Sequence, residues 1–178
     1  VVFPPAADRR PNLGRLFVRS ITMTSRQSAG ILLYRRKPHL LEVFLVHPGG
    51  PFWKNKNEGS WTIPKGEFTD DEPALDAAVR EFREETGAAL KGPFQALSPV
   101  RQKGGKRVYA WAARGDIDPA AIISNTFELE WPRNSGNQKT FPEVDKGGWF
   151  SLDAARQIIN PAQIALLDEL EETQRAPR

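Results

Sequence analysis

The stretch GEFTDDEPALDAAVREFREETGA, residues 66–88, decides how the rest of the chain is read. It opens on Gly66, has Glu72 after five intervening residues, and after seven more runs Arg80, Glu81, Phe82, Arg83, Glu84, Glu85, Thr86, Gly87. Residues 73–86 are expected to form a helix. Asp70 and Asp71 offer capping carboxylates, Pro73 suits a first turn, and Gly87 suits the stop. Leu75, Ala78, Val79 and Phe82 recur at helical spacing and form an apolar stripe. Glu81, Glu84 and Glu85 stand at i, i+3 and i+4, so they share a face about 120° round from that stripe.

Three carboxylates held this close repel one another, and each costs stability unless positive charge sits among them. A solvated face laced with pairs to Arg80 or Arg83 is the bland answer. The other answer is a hard divalent cation with oxygen ligands. Mg2+ suits a site that also takes substrate phosphate, and Mn2+ is an alternative. Arg80 is expected to orient a glutamate, Glu72 to pair with a basic residue, and Gly66 to permit an unusual backbone conformation.

These spacings resemble the Nudix box, G-x5-E-x7-R-E-U-x-E-E-x-G-U, where U is a bulky apolar residue. Seven fixed positions match, and chance agreement is roughly one in a billion per window. Ala88 departs from the pattern, a matter of packing at the helix exit. The resemblance covers about residues 28–170. It implies an α+β Nudix fold, a mixed β-sheet between helices, with the box as strand, loop and helix. It also implies hydrolysis of a nucleoside diphosphate linked to another group, by water attack on phosphorus. Glu81, Glu84 and Glu85 would hold the metal with the carbonyl oxygen of Gly66. A further glutamate often comes from a loop before the strand leading to the last helix. Glu143 resembles it in position, as metal ligand or base, with Glu128, Glu130 and Asp145 as competitors.

The remaining sequence suits that fold. Of 178 residues, 39% are hydrophobic and 26% charged, an ordinary globular mix. No apolar run approaches the roughly 20 residues needed to span a bilayer, and no cysteine is present. Thiol catalysis and thiolate zinc sites are therefore excluded, and a cytoplasmic location is expected. The net charge of +3 comes from Arg9, Arg10, Arg15 and Arg19. From residue 23 onward the charges balance, so nucleic acid is not the expected partner. Residues 1–22 are read as a disordered or non-native leader and 23–178 as one domain, with Met23 the sole methionine. Oligomeric state is left open.

Strands are expected at 30–34, 42–47, 61–63, 94–102, 107–113, 126–131 and 148–150, with a polar loop over 132–143. Helices are expected near 152–159 and from Pro161, the latter burying Ile164, Leu167 and Leu170. The run Trp61 to Glu67 resembles the approach to the box in diadenosine-polyphosphate hydrolases. Lys65 there can meet phosphate as a point charge. Lys103 and its neighbours Arg101, Lys106 and Arg107 offer further positive charge. Tyr109 and Trp111 share one strand face and resemble the aromatic pair near the nucleotide in those enzymes, while Trp53 and Trp131 are other bases for stacking. The marker proline of ADP-ribose enzymes and the coenzyme-A signature are missing. His39 and His47 are wrongly spaced for a histidine-triad hydrolase. The expectation is a Mg2+-dependent pyrophosphohydrolase preferring diadenosine polyphosphates. Nucleoside or deoxynucleoside triphosphates come next, and a nucleotide-sensing Nudix module without turnover is the rival from another class.

Overall fold

A computed structural model describes residues 26–175, so the expected leader lies outside the described residues. Strands β1 (Gln27–Lys37) and β2 (Leu40–Pro48) are followed by β3 (Lys65–Glu67), helix α1 (Ala74–Thr86), and strands β4 (Phe94–Arg101) and β5 (Arg107–Arg114). Then come β6 (Thr126–Glu130), β7 (Gln138–Pro142), β8 (Val144–Ser151), and helices α2 (Leu152–Ile158) and α3 (Ile164–Arg175). The order β4-β5-β1-β2-β8, with β3 also on β1, makes a six-stranded mixed sheet. Only its β1–β5 pair is parallel.

Strand β1 organises this layer. Residues 28–34 are buried without a break, as expected of a strand covered on both faces. Ile31 and Leu33 pack with α1, while Leu32 and Tyr34 pack toward α2 and α3. One edge of β1 carries β5. The other edge is shared: residues 28–30 take β3 and residues 34–37 take β2. Between them the Ile31 N–H donates to the Pro64 carbonyl at 3.0 Å. The sheet therefore splits where the box begins, and β3 delivers Gly66 to the foot of α1.

Several expectations need correction. Trp61–Ile63 forms only isolated bridges to Val46 and Ile159, and the strand lies at 65–67. Buried Gln163 holds the segment instead, accepting from the Ile63 N–H at 3.0 Å and donating to Thr62 Oγ1 at 2.8 Å. The polar loop 132–143 contains β7, which pairs with β6 as a separate hairpin. Its alternation is masked because neither face is deeply buried. Strand β8 is longer than the expected 148–150, since it pairs with β2 from Glu42 to Pro48.

Helix α1 stops as expected at Gly87, whose φ of 74° is left-handed and whose N–H donates to the Arg83 carbonyl. Its start differs. Pro73 precedes the first turn with no side-chain cap. Asp71 accepts instead from Thr69, and Asp70 from Gln27. The buried set is Ala77, Ala78, Phe82 and Thr86, with Leu75 and Val79 only half-buried. At about 100° per residue, Glu81 and Glu85 fall inside the arc from Ala77 to Phe82. The acidic and apolar faces therefore overlap, and two alanines leave room for carboxylates against the sheet. Phe82→Ala should cost about 3–5 kcal/mol in urea unfolding. Leu75→Ala should cost less than half as much, whereas equal losses would restore the simple stripe.

Candidate active site

Strand β3 meets α1 at backbone level. The Lys65 N–H donates to Glu85 Oε2 at 3.0 Å. One residue on, a Cβ added to Gly66 would collide with the Glu81 carboxylate. Any larger residue here would have to push that carboxylate aside, and the φ of Gly66 is not in the left-handed region. Glu81 is largely enclosed, its side chain 12% exposed.

Arg80 supplies the positive charge within this cluster. Its Nε and Nη2 donate to the two oxygens of Glu72, both at 2.9 Å, a bidentate pair. Its Nη1 donates to Glu81 Oε1 at 2.7 Å and to Glu84 Oε2 at 3.0 Å. The expected partner of Glu72 is thus Arg80, and Arg80 does orient glutamates. These hydrogen bonds, that to Glu72 foremost, raise the guanidinium pKa further above its ordinary value and lower that of Glu72.

Burial works against charge on the other acids. It raises the Glu85 carboxyl to about 8 despite Lys65, and nearby Glu81 and Glu143 push the same way. Glu81 is also raised, by burial first, with opposition from Arg80 and help from Glu84 and Glu143. Glu143 is therefore close enough to act on both acids, although it lies about sixty residues away in sequence. A chain of backbone bonds holds it there. The Asn125 N–H donates to the Glu84 carbonyl, the Glu143 N–H to the Asn125 carbonyl, and the Gly49 N–H to the Glu143 carbonyl, at 3.0, 2.8 and 2.8 Å.

The other candidates separate. Asp145 accepts from buried His47 at 2.9 Å, while the second ring nitrogen of His47 meets the Lys56 carbonyl at 2.6 Å. Nothing local in the sequence signalled that lock, because it follows from the pairing of β2 with β8. Glu130 is used within its hairpin, accepting from the Gly136 N–H at 2.7 Å, and Glu128 is exposed. Lys65 is no surface lysine. It is half-buried beside Glu85, Glu81 and Glu67, and burial lowers its pKa. Lys106 ties the β4–β5 turn to Glu67 at 2.9 Å, a contact the sequence did not signal. Lys103 is exposed at the same turn, without a side-chain partner among the described residues. Tyr109 packs edge-on to Phe68 of the box loop at 5.9 Å, and Trp111 packs against the core beneath α1. Exposed Trp53 is covered by Lys56 of its own loop at 4.9 Å.

Among the described residues, no three His, Cys, Asp or Glu side chains are gathered about one point at metal-binding distance. Arg80 occupies the cationic position between Glu81 and Glu84 instead. The donor set nonetheless fits a hard cation: oxygen ligands only, two acids partly stripped of water, and a glycine backbone pressed against one of them.

A linked pH dependence follows. A carboxyl raised from 4.5 to about 8 on folding stabilises the protein fully below pH 4.5. That contribution is lost as pH rises through about 8. In EDTA, thermal stability should fall over this window, and Mg2+ should restore it at the alkaline end. Glu85→Gln should flatten both responses, isolating the carboxyl from the oppositely signed effect of Lys65. Identical pH profiles for the variant and wild type would contradict the assignment.

Comparison with known proteins agrees with the geometry. The NUDIX domain profile matches residues 24–170. No curated protein matches the sequence significantly. Among solved structures, a Caenorhabditis elegans Ap4A hydrolase binary complex superposes with a TM-score of 0.60 at 21% identity, covering 83% of this chain and 97% of that one. The NUDIX domain of Shewanella oneidensis NrtR, complexed with ADP ribose, gives 0.57 at 18% identity, covering 83% and 87%. A mutT/nudix family protein from Listeria innocua gives 0.55 at 18% identity, covering 84% and 93%. At such identities the structures establish a shared fold. With the profile spanning most of the chain and the box residues meeting at the junction of β3 and α1, the chain belongs to the Nudix family.

Proposed function

We propose that this protein hydrolyses a phosphoanhydride of a nucleoside polyphosphate with Mg2+, preferring diadenosine polyphosphates, with nucleoside or deoxynucleoside triphosphates next. The observation that carries this reading is the packing of Glu81 and Glu85 against the Lys65–Gly66 backbone, with Glu143 near enough to raise both carboxyls. Acids so placed serve little structural purpose, because burial and mutual repulsion both penalise them. The likeness to an Ap4A hydrolase supports the substrate preference.

Glu81, Glu84, Glu85 and the Gly66 carbonyl would hold the cation, with Mn2+ as a substitute. When bound, Mg2+ supplies charge that neutralises phosphate oxygens and acidifies a water. Arg80 keeps Glu72 through Nε and Nη2 and yields Glu81 and Glu84 from Nη1. Glu143 or one of the box glutamates takes the proton of the attacking water. A phosphorus–oxygen bond forms to that water as the anhydride bond breaks, and the electron pair leaves on the departing phosphate. Lys65, half-buried beside the site, faces that developing charge. Lys103 and Tyr109 flank the β4–β5 side, and Trp53 the opposite loop, as substrate contacts.

Glu84→Gln should lower turnover about 10²-fold or more with an unchanged circular dichroism spectrum, because a ligand is weakened. Glu143→Gln should lose less. Incubation of wild type with Mg2+ and a nucleotide panel, with products identified, should release a mononucleotide. Tight binding without any product would make the protein a sensor.

A further inference from the structure

Loop 49–60 and the β6–β7 hairpin lean on each other beside the acidic cluster. Gly49 lies so close to the Pro142 carbonyl that a Cβ there would collide with it, and Gly50 faces the Phe127 ring. Farther out, Phe52 and Trp131 meet edge to face, their ring centroids 5.5 Å apart and their planes at 85°. Arg133 stands 5.9 Å over the Phe52 ring. Phe52 is 47% exposed, one of four large hydrophobic side chains exposed among the described residues, and Trp53 beside it is another.

We propose that Phe52, Trp131 and Arg133 form a stacking corner for the distal nucleobase of a dinucleoside polyphosphate, the nucleoside farther from the attacked phosphorus. This rests on the pyrophosphohydrolase reading above and adds the means of selecting the substrate. Three arguments support it.

The first is reach. Phe52 is three residues from Gly49, whose N–H is bonded to the Glu143 carbonyl, so it lies at most about 10 Å from Gly49. Trp131 follows the last residue of β6, about 17 Å along the hairpin from Thr126, and Thr126 pairs with Pro142 beside Glu143. A base in the corner is thus separated from phosphorus at the carboxylates by a ribose and further phosphates. The second nucleoside of a dinucleoside tetraphosphate meets that requirement. The second argument is chemistry: two aromatic walls and a guanidinium stack any base through its π-face. The third is support. The corner bridges two segments that both touch Glu143 or its neighbour, so its distance from the acids is fixed by backbone contacts.

The alternative role is a purely mechanical one, in which Phe52 and Trp131 merely pin the loop to the hairpin. Steady-state kinetics with diadenosine tetraphosphate and ATP separate the two, using Phe52→Ala, Trp131→Ala and Trp131→Phe alongside melting curves. The ratio of kcat/KM for the tetraphosphate to that for ATP should fall about tenfold in either alanine variant, the size of one lost stack. The loss should enter through KM, and Trp131→Phe should recover most of it. An unchanged ratio overturns the corner, whatever happens to the melting temperature, while leaving hydrolysis itself intact. If wild type cleaves neither nucleotide, the hydrolase reading fails separately. Equilibrium titration with diadenosine tetraphosphate then decides: about tenfold weaker binding in Phe52→Ala supports the corner, and equal affinity overturns it.

Discussion

Mutual repulsion among Glu81, Glu84, Glu85 and Glu143 is the constraint to which the surrounding structure answers. The fold gathers these acids and then withholds water from two of them, which raises the cost of their charge. Arg80 is the internal reply, with one guanidinium shared among Glu72, Glu81 and Glu84. That reply is incomplete. Glu85 has a backbone N–H and a nearby lysine, and its carboxyl still sits near 8. An arrangement left short of positive charge is primed to accept more from outside.

The architecture explains how so many acids come together. Splitting one edge of β1 between β2 and β3 lets a three-residue strand present Gly66 directly under α1. Ala77 and Ala78 let that helix lie close to the sheet, so Glu81 and Glu85 lie between small side chains. The relay from Glu84 through Asn125 to Glu143 and Gly49 then fixes the hairpin and the loop relative to the helix. A local rigid unit thereby sets the positions of distant segments.

The box was legible because its chemistry is written at fixed spacing within one helix and the turn before it. Glu81, Glu84, Glu85, Arg80 and Gly66 could be found without any long-range contact, and the sheet-and-helix layers followed from alternation and periodicity. What escaped was set by pairing between distant strands. His47 engages Asp145 only because β2 runs beside β8, and Lys106 reaches Glu67 only because β5 and β3 flank β1. The β7 strand was hidden because a hairpin standing off the main sheet buries too little to pattern its sequence. The apolar stripe of α1 misled for the opposite reason. Leu75 and Val79 look like core residues, yet alanines and carboxylates face the sheet while these larger side chains line a groove on the helix flank.

Diffraction at the manganese edge, from crystals soaked in Mn2+ with a non-hydrolysable dinucleoside tetraphosphate analogue, tests the central claim most directly. Anomalous peaks are expected within bonding distance of the Glu81, Glu84 and Glu85 carboxylates and the Gly66 carbonyl, with phosphate oxygens alongside. An acidic cluster still closed by Arg80 and free of manganese, with the analogue bound elsewhere, would contradict it.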